Sequence, residues 1–256
     1  MIVTTPHKPS EELVAYAHRI SEELGGRFVP RKQDSLTLLR QRYNDNRLLV
    51  ADDLGLRYYE DSDTPLYFHP SMAYVRVKRL RKGERDPLID VSGCVPGDSI
   101  VDCTAGLGSD SIVFSYAAGA GGQVTALESA QVLSTVIREG LQSYQTGHED
   151  VNEALRRIEV ICMDHKSWLE KQPDKSVDIV YFDPMFRQPL HDSSSIQPLR
   201  ALANRAALDE DSVQHAIRVA RKSVVLKEHR DSGEFVRLGF ERKHANKIAY
   251  GVITSS

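Results

Sequence analysis

From residue 98 onward the chain alternates apolar runs with amphipathic segments. Ser99–Cys103, Gln123–Leu127, Ile158–Met163, Val177–Phe182 and Val224–Lys227 are short and rich in β-branched residues, as strands buried on both faces tend to be. Between them, Asp110–Ala118, Ala130–Tyr144, Ser167–Lys171, Gln197–Ala207 and Asp211–Ala220 read as helices. This alternation predicts an α/β Rossmann-like architecture, a mostly parallel sheet with helices on both faces. The tail, Gly239–Arg242 and Ile248–Thr254 around His244-Ala245-Asn246, predicts an antiparallel pair that brings the sheet to seven strands.

The first 70 residues follow a different rhythm. Ser10 is placed to cap a helix whose Leu13, Ala17, Ile20 and Leu24 recur at helical spacing until Gly25-Gly26 stops it. Short strand candidates follow: Arg27–Val29, Ser35–Leu39, Leu48–Ala51, Leu56–Tyr59 and Leu66–Phe68, with turns at Asn44-Asp45-Asn46 and Asp52-Asp53-Leu54-Gly55. Residues 1–70 are therefore expected to form a small α/β subdomain, and 71–256 the main domain. Residues 71–91 are expected to be a connecting helix with a basic run, Arg76, Lys78, Arg79, Arg81, Lys82 and Arg85. That run reads either as a solvated face or as a phosphate-contacting patch.

Composition narrows the classes. The 256 residues are 41% hydrophobic and 27% charged with a net charge of −3, ordinary for a globular protein, so nucleic-acid binding would need a local basic patch. No apolar stretch is long enough to span a membrane, and no signal peptide is visible at the N-terminus. Cys94, Cys103 and Cys162 are too scattered for a disulfide framework or a zinc site. Cys103 and Cys162 lie in apolar runs where cysteine acts as a small hydrophobe, and a reduced cytoplasmic setting is expected. No metal set is apparent; His69, His165 and His191 are not spaced as ligands.

The chemistry gathers at strand ends. The first strand of the main domain runs into Val101-Asp102-Cys103-Thr104-Ala105-Gly106-Leu107-Gly108-Ser109-Asp110. Gly106 and Gly108 allow a tight turn and close approach of a ligand at the start of the next helix. A dinucleotide loop would carry a third small residue and would not need Asp102; Asp-x-x-x-Gly-x-Gly is the form that holds S-adenosylmethionine. Glu128 ends the second strand about 20 residues on, where a carboxylate can accept both ribose hydroxyls. Asp164 follows the third strand, placed to accept from an adenine amine. Read singly, these residues are a glycine turn and helix caps; the cofactor reading comes from their recurrence at successive strand ends.

The fourth strand ends in Tyr181-Phe182-Asp183-Pro184-Met185-Phe186. An exocyclic amine on a nucleobase is a poor nucleophile because its lone pair is delocalised into the ring. Asp183 and the Pro184 carbonyl can accept its two N–H groups and aim the lone pair at a methyl group, while Phe186 offers a stacking face. Taken alone, Asp-Pro would be a common strand-ending turn. Trp168 reads as core, and Lys227 either as a phosphate contact or as a strand-end lysine reaching solvent.

Together, Asp-Cys-Thr-Ala-Gly-Leu-Gly-Ser-Asp at 102–110, Leu-Glu-Ser at 127–129 and Tyr-Phe-Asp-Pro-Met-Phe at 181–186 resemble the J-type 16S ribosomal RNA guanine-N2 methyltransferases, above all their relatives in Bacillus-type bacteria. The similarity covers roughly 95–256 and extends more weakly towards the N-terminus. It implies a class I methyltransferase fold, S-adenosylmethionine as cofactor with contacts at Ser109, Asp110, Glu128, Ser129 and Asp183, and Ala105 in the same loop. The implied partner is ribosomal RNA or the small ribosomal subunit, with a homodimer as one possible assembly. The family continues past the catalytic motif with proline and a lysine-rich stretch; this chain continues Arg187-Gln188-Pro189-Leu190-His191-Asp192-Ser193, so the nucleic-acid contacts differ. DNA, a protein side chain or a small molecule stay open as acceptors, as does a silent cofactor- or RNA-binding module.

Overall fold

A computed structural model of the chain describes residues 1–60, 63–184, 207–245 and 247–255. Two compact units are present: Met1–His69 with Gln131–Tyr144, and the remaining described residues. The sequence division at residue 70 leaves the segment 131–144 in the main domain; in the structure it groups with the first unit.

The first unit is a five-stranded sheet among the described residues. Its strands are β1 (Ile2–Thr4), β2 (Arg27–Phe28), β3 (Leu48–Asp52), β4 (Gly55–Tyr59) and β5 (Leu66–Tyr67), in the order β2-β1-β3-β4-β5. Strand β1 was not expected from sequence; it pairs parallel to both β2 and β3. Helix α1 (Glu11–Glu23) starts where Ser10 accepts the Leu13 amide at 3.1 Å. The strand expected over Ser35–Leu39 is instead helix α2 (Leu36–Tyr43). Ser35 caps it through the Leu38 amide at 3.1 Å, Asn44 ends it in the left-handed region, and Leu36, Leu39 and Tyr43 share its core-facing side. A short apolar run fits either period; the cap and the 3-4 spacing decide it. Helix α6 (Gln131–Ser143) belongs to this unit, where Arg138 grips Glu23 through two bonds of 2.8 Å.

The second unit also departs from the expected single helix over 71–91. Two helices, α3 (Ser71–Arg81) and α4 (Pro87–Ser92), are separated by left-handed Gly83, and Asp86 caps α4 by accepting from the Leu88 amide. Then follow β6 (Ser99–Asp102), α5 (Ser109–Ala118), β7 (Gln123–Glu128), α7 (Glu149–Arg156), β8 (Ile158–Cys162), α8 (His165–Glu170), β9 (Val177–Phe182), α9 (Glu210–Val219), β10 (Ala220–His229), α10 (Glu234–Arg237), β11 (Glu241–Ala245) and β12 (Ile248–Thr254). Helix α7 had no counterpart in the sequence reading. The helix expected over Gln197–Ala207 lies, except for its last residue, outside the described residues.

The sheet of this unit has seven strands among the described residues, in the order β11-β12-β10-β9-β6-β7-β8. Strands β6 to β10 run parallel, and β11 and β12 close the edge antiparallel, as the tail pattern predicts. From β6 the chain moves outward to β7 and β8, then returns to β9 on the other side. This reversal opens a crevice at the carboxyl ends of β6 and β9, where ligands bind in such sheets. Val101, Val180, Phe182, Val224 and Leu226 lie in the core beneath it.

Packing in the first unit leaves no room at Gly140 of α6. A Cβ there would lie 2.2 Å from Cγ of Phe68. Gly140→Ala should therefore lower stability by about 1–3 kcal/mol, measured as a lower urea midpoint; an unchanged midpoint would show that Phe68 moves aside at no cost.

Candidate active site

The crevice is built from loops that β6, β7, β8 and β9 throw out at their carboxyl ends. After β6 the backbone makes two left-handed steps, at Gly106 (φ +53°) and Gly108 (φ +76°), where a side chain would be strained. Gly108 then caps α5. Asp102 turns inward: 1% exposed, it accepts from the Ser111 hydroxyl at 2.5 Å and the Thr104 amide at 3.1 Å. Burial, with Asp110 nearby, pushes its carboxyl up to about 7 against those two donors. Asp102 thus shapes the glycine loop from beneath. Ala105 is buried and donates its amide to the Leu127 carbonyl, tying the loop to β7.

Glu128 closes β7 at 8% exposure. Its carboxylate accepts from the Ala130 amide at 2.9 Å and from the amides of Gly106 and Ser129. Burial raises its proton affinity above that of an ordinary glutamate, and these amides work in the opposite direction. The glycine turn and the carboxylate are therefore one unit. Ser129 beside them is exposed, and Ser109 opens α5 in a half-buried position. Asp164 caps α8 through the Ser167 amide at 3.2 Å and remains half-buried. Trp168 packs on the core, as expected of it, while Cys162 is exposed, contrary to its reading as a buried hydrophobe.

Beneath the fourth strand end lies a chain of charges that the sequence does not announce. Lys227, on β10, places its Nζ 2.7 Å from Asp183 Oδ2 and 2.8 Å from Asp110 Oδ2. It is therefore an internal ion-pair partner, neither of the two roles its sequence position suggested. Asp110, at the start of α5, also accepts from the Tyr181 hydroxyl at 2.7 Å and from Arg76 Nη1. Arg76 in turn grips both oxygens of Asp86, at 2.7 and 2.8 Å. Burial would raise the Asp110 carboxyl, but Lys227 and Arg76 outweigh it and hold it well below the usual range. Burial likewise opposes charge on Lys227, yet Asp110 and Asp183 keep its ammonium protonated far above its ordinary range.

Asp183 itself stands at the crevice, its side chain 27% exposed. Its backbone amide donates to Thr104 Oγ1 at 2.5 Å, so the loop after β6 and the loop after β9 are joined by one hydroxyl. Thr104 and Arg76 escaped the sequence reading of the site; Thr104 stands inside the glycine loop, but nothing local pointed it at residue 183. Asp183 and Pro184 are described, whereas Phe186 lies outside the described residues.

Several side chains of the basic run have partners within the fold. Arg76 is drawn into the charge chain; Arg79 pairs with Glu84 at 2.8 Å, Arg81 with Asp150 at 2.8 Å and Arg85 with Asp90 at 3.0 Å, while Lys78 lies over the Tyr74 ring. Much of its positive charge is thus met by neighbouring carboxylates.

A parallel sheet with a glycine loop, a carboxylate on the next strand and an acid-proline turn across the switch point forms the ligand crevice of an open α/β sheet. The family described as "Putative SAM-dependent methyltransferase" matches residues 34–239, and the chain belongs to it. Among its relatives is the uncharacterized protein YpiP of Bacillus subtilis, 40% identical over 258 residues and covering all of both chains. The ribosomal RNA small subunit methyltransferase J of Hydrogenovibrio crunogenus is 31% identical over 150 residues, 57% of this chain and 53% of that protein. A counterpart in Acinetobacter baumannii strain AYE is 30% identical over 152 residues, 57% and 51%. The matched region thus spans about half the length of these curated methyltransferase relatives. A solved SAM-dependent methyltransferase from Neisseria gonorrhoeae shares the fold, with a TM-score of 0.66 at 17% identity over 100% of this chain and 96% of that one. The chain is an S-adenosylmethionine-dependent methyltransferase. Among the described residues, no group of side chains could hold a metal ion and no helix is long and apolar enough to cross a membrane.

The residues suit this cofactor. The space over Gly106 is open, since a Cβ there would meet nothing nearer than the Thr104 carbonyl at 3.9 Å, and the Glu128 carboxylate sits against the same turn. Glu128→Ala should weaken S-adenosylmethionine binding by about 1–3 kcal/mol in calorimetry; unchanged affinity would remove Glu128 from the site. The ionised form is the acceptor, and the Glu128 pKa is raised. Affinity should therefore be full at high pH and fall on acidification, starting at a higher pH than for an ordinary glutamate. Glu128→Gln should remove that dependence; a limb that persists in the glutamine variant would belong to another group.

Proposed function

We propose that this methyltransferase acts on an exocyclic amino group of RNA, with guanine N2 of 16S ribosomal RNA as the acceptor. The observation that carries this reading is the partly exposed Asp183 carboxylate followed by Pro184 at the end of β9, across the switch point from the glycine loop. The J-type ribosomal RNA methyltransferases among the relatives support the choice of RNA.

In this reading Gly106, Gly108 and Glu128 hold the cofactor, Ser109, Ser129 and Asp164 border it, and Asp102 and Ala105 fix the loop from behind. When bound, S-adenosylmethionine would supply an electrophilic methyl group on its sulfonium, with the C–S bonding electrons staying on sulfur. Asp183 and the Pro184 carbonyl each accept one N–H of the amine, which favours a tetrahedral nitrogen and turns its lone pair towards the methyl group. As the new C–N bond forms, positive charge develops on nitrogen and the ionised Asp183 stabilises it. The surplus proton passes to Asp183 or to water. Phe186 offers a face on which the base stacks.

Asp183→Ala should keep the fold and most of the cofactor affinity but lose about 10²–10³ in the rate of transfer. The test is single-turnover transfer of labelled methyl groups to 16S RNA from a strain lacking the gene, with circular dichroism as the control for folding. Near wild-type transfer by this variant would sink the amine assignment and leave the cofactor fold untouched. Phe186→Ala should instead weaken RNA binding by about 1–3 kcal/mol, seen as a higher half-saturation with the maximal rate little changed.

A further inference from the structure

We propose that Lys227 is a positioning residue for methyl transfer: held by Asp110, which Arg76 anchors in turn, its ammonium fixes Asp183 Oδ2 and leaves Oδ1 for the acceptor amine. The proposal rests on the reading of Asp183 as the acid that receives that amine.

The geometry is a row of alternating charges. Asp86 holds Arg76 through two bonds, Arg76 and Lys227 hold Asp110, and Lys227 reaches Asp183 at 2.7 Å. Every joint before Asp183 is anchored. Asp86 caps α4, and Asp110 sits in the first turn of α5 with a third donor in the Tyr181 hydroxyl. Lys227 comes from the carboxyl-terminal part of β10, next to Leu226, which pairs with Phe182 of β9. A lysine held at both ends has lost its usual freedom, so the carboxylate it touches is held as well.

The row also sets the charge on Asp183. The groups around it are Asp110 from α5, Asp102 from β6, Tyr181 from β9, Lys227 and Glu228 from β10 and Arg76 from α3, with Tyr250 of β12 acting on Lys227. Burial and the charge on Asp110 favour the protonated acid; Lys227 and, more weakly, Arg76 favour the carboxylate. A protonated Asp183 would offer a donor where the amine needs an acceptor. Of the two cations Lys227 is the one in contact with it, so its removal leaves the charge on Asp110 opposed only by the weaker influence of Arg76. Lys227 need not touch substrate or cofactor to act in this way.

The experiment follows Asp183 directly in the full chain, without cofactor or RNA. Aspartate labelled with ¹³C at the side-chain carboxyl is titrated by NMR, and Asp183→Asn identifies the resonance. In Lys227→Met and Lys227→Gln the Asp183 titration should move up by about 1–3 pH units, and Lys227→Arg should restore the wild-type curve. The folded pKa rises in the neutral variants, so the ionised form is lost at a higher pH. The acidic limb of single-turnover transfer to 16S RNA from the deletion strain should shift upward by the same amount. A purely structural lysine would lower the yield of folded protein and leave the acidic limb of transfer in place. The glutamine variant keeps a hydrogen-bonding group in place should the methionine variant fold poorly. Superimposable Asp183 curves for wild type and either neutral variant would overturn the role of Lys227. Full transfer activity in Asp183→Ala would instead overturn the reading on which the role rests.

Discussion

The Asp110 carboxylate is the interaction on which the crevice of the second unit depends. It is buried and receives Tyr181 from β9, Lys227 from β10 and Arg76 from α3. A carboxylate taken out of water is costly, and breaking such a buried pair by removing one partner costs roughly 3–5 kcal/mol. The sequence thus commits four elements that are distant along the chain to one point under the strand ends. Any movement of α3, α5, β9 or β10 at that point strands a buried charge.

Fixing this floor fixes the edges of the crevice above it. The glycine loop leaves β6 over Asp102, whose bonds to Ser111 and Thr104 hold the turn open-faced. Thr104 passes the constraint on through its hydroxyl to the Asp183 amide. The glycine loop and the acid-proline turn are therefore parts of a single hydrogen-bonded assembly, as the proposed transfer between a cofactor methyl group and an acceptor demands. Orientation of this kind is lost when either partner is misplaced by an ångström.

The parallel strands and their order of appearance were legible because buried β-branched runs bounded by helices have few other readings. The positions of the glycine loop and Asp183 at strand ends were legible because each follows directly on a buried apolar run. The segment Leu36–Tyr43 was misread because a short apolar run supports either period, and strand β1 because three residues carry almost no periodicity. The sequence also placed Asp110 only through resemblance and took Arg76 for part of a basic face. Its real partners, Asp86 and Asp110, lie 10 and 34 residues away, a contact that no local pattern encodes. Lys227 shows the same limit: a lysine at a strand end is ordinarily a solvated one, and only the fold reveals two carboxylates waiting for it.

The central claim is that this crevice delivers a methyl group to the exocyclic amine of a guanine in small-subunit ribosomal RNA. Its most direct measurement is mass spectrometry of nucleosides digested from purified 16S RNA of a strain lacking the gene, beside the same strain carrying the wild-type or the Asp183→Asn gene. N2-methylguanosine should fall in the deletion strain, return with the wild-type gene and stay low with Asp183→Asn. An unchanged N2-methylguanosine content in the deletion strain would contradict the claim.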